Sequence, residues 1–329
     1  MQYVILKILA ISIAIPAAIA LGLILSQPAG GDLGQGGLDF SNQIAKGTVR
    51  SAPERRIAMR DGFEMSVWDY PAHHDGAPLL VLVHGSGWHS LQLDGLAEAL
   101  RDVAHVVTPD LRGHGANPGR RGDVDYIGQL EDDLADLIAA MRADGQKVVL
   151  AGHSSGGGLV VRFAGGAHGA GLDAAVLLAP FLKYNAPTTR PDSGGWAVPL
   201  TRRIIGLSML NGVRIRALNG LTAIRFRVPA EVLNGPLGNT ATGAYSFRMN
   251  TSFAPRGDYL KDVAALPPFL LIAGHEDEAF VADQYQPTMA AVTARGSYLL
   301  VEGVGHLDIV DAPETVAAMA AFLKGLARQ

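Results

Sequence analysis

The sequence predicts an α/β fold, a mostly parallel sheet flanked by helices, interrupted by one insertion and preceded by an apolar N-terminus. Three observations carry this. From Arg55 onward, short apolar runs alternate with amphipathic stretches, the pattern of strands covered by helices. KVVLAGHSSGGG (147–158) reads as a buried strand running abruptly into a Gly-rich turn and an apolar helix. Between Phe181 and about Lys261 the strand–helix rhythm stops, and the segment is rich in Pro, Gly and Arg.

Taken in order, RRIAMR and FEMSVWDY flank Asp61-Gly62, a two-residue hairpin signal. LLVLVHG (79–85) is a continuous apolar strand ending in glycine, residues 93–101 have helical periodicity, and HVVTPD (105–110) is another strand. A long helix is predicted over 124–143, with Leu130, Leu134, Leu137, Ile138 and Met141 on one face. AAVLLAP (174–180), FLLIAG (269–274) and SYLLVEG (297–303) supply three more strands, and 313–327 closes the chain as an amphipathic helix.

Composition narrows the chemistry. A chain of 329 residues can bury one large core or two modest ones. A net charge of −4 gives no electrostatic reason to expect nucleic acid, and the absence of cysteine excludes disulfides, cysteine–zinc sites and cysteine nucleophiles. No His and carboxylate residues have zincin spacing, and no Gly-rich loop is followed by Lys-Ser/Thr, so neither a metal nor a nucleotide cofactor is expected.

Gly152-His153-Ser154-Ser155-Gly156 fits G-x-S-x-G in the strand–turn–helix setting that motif requires. A strained turn there projects the Ser154 hydroxyl, and the following helix aims its N-terminal amides at the point where an oxyanion would form. A serine hydroxyl needs an adjacent base. His306, in Gly303-Val304-Gly305-His306, follows the last strand, on a loop that parallel topology brings to the same sheet edge. Asp277 follows the preceding strand and completes the order Ser154, Asp277, His306; its neighbours Glu276 and Glu278 are chemically competent alternatives. The amide of Ser155 is one expected oxyanion donor and that of Ser86, in His84-Gly85-Ser86-Gly87, the other. His84, Arg112, His114 and His153 are expected to hold loops by hydrogen bonds.

The motifs HGSGWHS, DLRGHG, GHSSGG, GHEDEAF and GVGH resemble the monoacylglycerol lipase and lysophospholipase branch of the α/β-hydrolase superfamily, over roughly residues 55–326. The resemblance implies Ser154 as nucleophile, Asp277 and His306 as its partners, and Ser86 as an oxyanion donor. It also implies that the insertion, about 181–261, is a mobile lid over an acyl-chain tunnel. The expected activity is hydrolysis of carboxylic esters, with a small-molecule ester or lipid (monoacylglycerol or lysophospholipid) as substrate. Thioesterase, peptidase and acyltransferase chemistry would use the same triad, and a non-catalytic membrane-anchored binding protein is the rival from another class.

Residues 8–25 (ILAISIAIPAAIALGLIL) carry no charge, and eighteen residues at about 1.5 Å each span roughly 27 Å, near the thickness of a bilayer core. The expected organisation is therefore a transmembrane or signal-anchor segment over 1–26, a linker over 27–50 and a catalytic domain over 51–329. Lys7 would face the cytoplasm and the catalytic domain the other side, or the segment would be cleaved to give a secreted or periplasmic protein. Within the insertion, residues 183–235 hold eight basic residues and only two acids, Asp192 and Glu231, which suggests either solvated surface or contacts with anionic groups.

Overall fold

The computed structural model describes residues 2–31, 33–34, 37–45, 49–50, 52 and 54–327. Helix α1 (Gln2–Leu25) and the short α2 (Ser41–Ala45) precede a hairpin of β1 (Glu54–Ala58) and β2 (Glu64–Tyr70). In its turn the Gly62 amide donates to Met59 O and the Met59 amide to Phe63 O, each at 2.8 Å. Then β3 (Leu79–Val83), α3 (Asp94–Ala99), β4 (His105–Pro109), α4 (Gln129–Met141), β5 (Val148–His153), α5 (Ser155–Ala164) and β6 (Ala174–Leu178) alternate.

The insertion comes next. It holds β7 (Ala197–Pro199), α6 (Thr201–Gly212), β8 (Thr222–Phe226), α7 (Ala230–Leu233), β9 (Ala244–Ser246), α8 (Phe247–Phe253) and α9 (Tyr259–Ala264). β10 (Phe269–Gly274), α10 (Tyr285–Ala290), β11 (Gly296–Val301) and α11 (Pro313–Ala327) complete the chain.

The main sheet has eight strands in the order β1-β2-β4-β3-β5-β6-β10-β11. Its β1–β2 and β2–β4 pairs are antiparallel and the rest parallel. β3, β5, β6 and β10 are buried at every residue, which is why they read as unbroken apolar runs instead of alternating ones. The register aligns the strand ends. Val83 pairs with Gly152, and Gly274 with Val301, so the loops after β3, β5, β10 and β11 leave the sheet at one edge.

Helix α4 starts later than predicted. Gly128, at φ 104°, breaks the helical path, and the Gln129 side chain accepts from the Asp125 amide at 2.6 Å, holding 125–128 as a turn. The expected face remains: Leu130, Leu134, Leu137 and Met141 are buried. The insertion contains a three-stranded antiparallel sheet, β7-β8-β9, that the sequence pattern does not signal.

The N-terminal expectation requires correction. The apolar run forms α1, yet among the described residues no helix is long and apolar enough to cross a membrane. The expected span, with the catalytic domain on the non-cytoplasmic side, is therefore withdrawn. The described packing gives α1 another role, since its C-terminal half lies on α6 of the insertion. Ala20 and Ile24 are buried there with Leu207, Leu210, Ala223 and Phe247, in a cluster separate from the main core. Contact is close because Gly206 has no side chain; a Cβ there would come within 2.5 Å of Ala20 O. Burying Ile24 contributes about 1.5–3 kcal/mol to this docking.

Three arginines of the insertion find specific partners in the segment after α1. Arg203 Nη2 donates to Gln27 O, Arg225 Nη1 to Gly31 O and Arg227 Nε to Leu33 O, each at 2.7 Å. Gln27 Oε1 accepts from the Arg202 amide at 2.7 Å, at the start of α6. These arginines tie down the stretch after α1 through its carbonyl groups.

Candidate active site

The site is built at the sheet edge around a strained turn. Ser154 lies between β5 and α5 at φ 54°, ψ −121°, in the positive-φ region that side chains rarely adopt. Flanking hydrogen bonds hold it there. The Ser154 amide donates to Leu178 O at 2.9 Å, and Ser154 O accepts from the amides of Phe181 at 2.9 Å and Gly158 at 3.1 Å. Small residues are required on both sides. A Cβ on Gly152 would meet the Gly156 backbone at 2.4 Å, and one on Gly156 would meet Val83 O and His84 O at 2.5 Å. The sequence motif is thus a packing requirement, with α5 pressed against β5 and against the end of β3.

His306, on the loop after β11, places Nε2 at 3.0 Å from Ser154 Oγ and Nδ1 at 2.8 Å from Asp277 Oδ2. Both His306 and Asp277 are 1% exposed. Asp277 Oδ1 accepts from the amides of Ala279 and Phe280, each at 2.8 Å. Burial acts to raise the Asp277 carboxyl, but charge and hydrogen bonding from His306, with those two amides, outweigh it and hold the pKa below the ordinary value. An ionised Asp277 fixes the proton on His306 Nδ1 and leaves Nε2 facing Ser154 as an acceptor. The two neighbouring acids lie elsewhere. Glu278 Oε2 accepts from the backbone amide of His306 at 2.7 Å, and Glu276 donates its own amide to Val304 O at 3.1 Å.

Ser86 follows β3, and a Cβ on Gly85 would lie 3.2 Å from Ser154 Cβ, so this loop passes directly over the serine. Ser155 opens α5, and its amide has no carbonyl one turn earlier to bond. Both residues line the same cavity as Ser154 and His306.

The four residues expected to hold loops do so. His84 Nδ1 donates to Gly85 O at 2.8 Å while its Nε2 accepts from the Leu111 amide at 3.1 Å. His153 Nε2 donates to His306 O at 2.9 Å and its Nδ1 accepts from Gln92 at 2.9 Å. Burial, with His306 nearby, pushes the His153 pKa down to about 3, so it stays neutral. Arg112 pairs with Asp133 at 2.8 Å, and His114 Nδ1 donates to Arg112 O at 3.1 Å.

Several residues of the insertion shape the site without any signal in the sequence. The Tyr245 hydroxyl accepts from the Gly87 amide at 2.7 Å and donates to His114 Nε2 at 2.5 Å. Trp196 Nε1 donates to Ser86 Oγ at 3.2 Å. Arg190 Nε donates to Asp277 O at 3.1 Å and to Phe280 O at 2.9 Å, bracing the loop that carries the acid. No local pattern marks these residues, because each acts across many residues of chain.

Above Ser154 lies a cavity open to solvent, walled mainly by apolar side chains including Phe181, Trp196, Phe226, Phe253 and Phe280. Asn250 is a polar member of the lining supplied by the insertion. A second, smaller space also borders Ser154 and His306, with Trp196 shared between the two.

Comparison with known proteins places this arrangement. Solved structures share the fold at low identity. A soluble variant of monoglyceride lipase from Saccharomyces cerevisiae, in complex with a substrate analog, superposes with a TM-score of 0.63 at 17% identity, covering 85% of this chain and 96% of that one. A thermophilic esterase from Thermogutta terrifontis gives 0.58 at 21% identity, over 84% of this chain and 100% of that one. Curated relatives match over shorter stretches. An uncharacterized protein of Mycobacterium tuberculosis is 33% identical over 87 residues, 26% of this chain and 25% of its own length. Esterase PIR7B of Oryza sativa subsp. japonica is 36% identical over 78 residues, 23% of this chain and 29% of that protein. The chain thus spans under a third of the length of these two relatives. The family model described as "Alpha/beta hydrolase family" matches residues 80–319, from β3 into α11. With a match over most of its length and the fold to go with it, this chain belongs to the alpha/beta hydrolase family.

Proposed function

We propose that the protein hydrolyses carboxylic esters through an acyl-enzyme on Ser154. The observation that carries the reading is the continuous hydrogen-bonded line from Ser154 Oγ through His306 to Asp277, at 3.0 and 2.8 Å, at the mouth of an apolar cavity.

Ser154 Oγ attacks the acyl carbonyl carbon as its proton passes to His306 Nε2. The carbonyl oxygen takes the electron pair and is held by the amides of Ser86 and Ser155, where the N-terminal end of α5 favours negative charge. Asp277 stabilises the imidazolium formed on His306. Collapse of the tetrahedral species breaks the bond to the alcohol oxygen, which leaves with the proton from His306. Water, deprotonated by His306, then attacks the acyl-enzyme, and the carboxylic acid departs as Ser154 regains its proton.

The acyl group lies in the larger cavity under the insertion, which acts as a lid. Aromatic walls favour an apolar acyl chain, so lipid esters such as monoacylglycerols or lysophospholipids are the proposed substrate class. Hydrolysis of p-nitrophenyl butyrate and of monoacylglycerols, by wild type and by Ser154→Ala, tests the reading. Loss of both activities in the variant is expected; ester cleavage that survives in the variant would overturn it.

A further inference from the structure

The second space beside Ser154 is walled partly by residues from outside the stretch that matches the family. Leu38 and Phe40 line it together with Trp88, Trp196 and Leu307, and it reaches Ser154 and His306. Phe40 is 5% exposed and wedged between two tryptophans, with ring centroids 5.6 Å from Trp88 and 5.5 Å from Trp196. The segment is tied in place from both ends. Arg227 holds Leu33 O, and Asn42 Nδ2 donates to Asp308 Oδ1 at 2.9 Å, two residues beyond His306. A residue so enclosed is a fixed wall and not a loose flap.

Ser86, Ser154, Trp196 and His306 border both cavities, so an ester carbonyl carbon at Ser154 Oγ is adjacent to both. Ser155, the other oxyanion donor, borders only the larger one. The smaller one is bounded by the His306–Leu307 loop, from which the departing alcohol receives its proton.

Resting on the esterase reading, we propose that residues 38–43 form the wall of the alcohol subsite and that Phe40 sets the size of the leaving group. An N-terminal segment thereby selects among esters that the hydrolase fold alone would accept. Phe40 and Trp88 narrow this space while Gln43 and Gln92 give it polar edges, which suits a small alcohol such as glycerol, and the Phe40 ring excludes an aromatic or polycyclic one.

The test uses the full chain and two substrate series. One fixes the acyl group as butyrate and varies the alcohol from methyl to benzyl to naphthylmethyl. The other fixes methanol and varies the acyl chain from acetyl to dodecanoyl. Phe40→Ala should raise kcat/KM for naphthylmethyl relative to methyl butyrate by about tenfold, the range one reshaped apolar wall gives. The acyl-chain profile should keep its shape. Leu38→Ala, a milder truncation, should shift the same ratio in the same direction and serves if Phe40→Ala does not fold. An unchanged alcohol ratio in folded variants, or a shift confined to the acyl series, overturns the assignment. If wild type cleaves no ester of either series, the esterase reading fails and this proposal falls with it; a Ser154-dependent wild type with an unmoved ratio removes this proposal alone.

Discussion

Replacing Asp277 with asparagine should abolish nearly all activity while leaving the fold in place, and the reason lies in which oxygen does what. Oδ1 accepts from two backbone amides at 2.8 Å, and Oδ2 faces His306 Nδ1 at 2.8 Å. In Asp277→Asn the amide oxygen has to stay with the two N–H donors, since turning it would oppose donor to donor twice. The NH2 group is thereby aimed at His306 Nδ1, which becomes an acceptor. The imidazole proton moves to Nε2 and points at Ser154 Oγ, 3.0 Å away, so no lone pair remains to take the serine proton. A wrong tautomer of this kind costs about 10⁴ in kcat, or about 5 kcal/mol of transition-state stabilisation. The assay is steady-state hydrolysis of p-nitrophenyl butyrate, with circular dichroism to confirm folding. Glu278→Gln is the control: its side-chain oxygen can still accept from the His306 amide, and it should lose less than tenfold. If folded Asp277→Asn kept more than a tenth of wild-type kcat/KM, Asp277 would not be setting the tautomer. An equal loss in Glu278→Gln would be just as damaging.

Two other consequences concern the packing beneath the site and the titration of its surroundings. Gly156→Ala places a Cβ 2.5 Å from Val83 O and His84 O, so the protein should melt at lower temperature and lose activity, at a cost of about 1–3 kcal/mol or more. Gly171→Ala, where a Cβ meets nothing within 4 Å, should leave thermal melting unchanged, and equal melting of both variants contradicts this packing. Burial depresses His84, His89, His114 and His153 below 6.5, with His89 and His153 at about 3. Because the unfolded chain then binds protons first, their contribution is complete above about pH 6.5 and is lost as pH falls toward 3. Each histidine removes up to about 1.4 kcal/mol per pH unit, so the urea midpoint should drop between pH 7 and pH 5. A midpoint constant over that interval would show that these imidazoles titrate alike in the folded and unfolded chains.

What the sequence reveals divides by how local each feature is. Ser154 is legible because strand, glycine turn and helix lie within a dozen residues, and the glycines themselves enforce the close approach. His306 and the loop that carries the acid follow from strand order alone, once β10 and β11 are recognised as apolar runs. The choice between Asp277 and Glu278 is not legible, because both acids are competent; the loop geometry directs Asp277 to the imidazole and Glu278 to the backbone of the same residue. The insertion reads as irregular since β7 and β9 are three residues each and show no period. The apolar N-terminus misleads for a related reason. Its hydropathy is visible, but Gly206 and Leu207, which receive Ala20 and Ile24, lie some 180 residues away. The arginines of the insertion are likewise uninformative by count. For Arg203, Arg225 and Arg227 the partners are the carbonyl groups of Gln27, Gly31 and Leu33, which no composition reveals.

Everything proposed for this site depends on Ser154 being a nucleophile activated by His306. Fluorophosphonate labelling of the purified protein, with peptide mass mapping, probes that directly, because the reagent reacts with an activated serine regardless of the natural ester. One modified peptide, containing Ser154, is expected, with no labelling of Ser154→Ala. Labelling at another serine, or none in folded wild-type protein, would show that Ser154 is not the activated nucleophile.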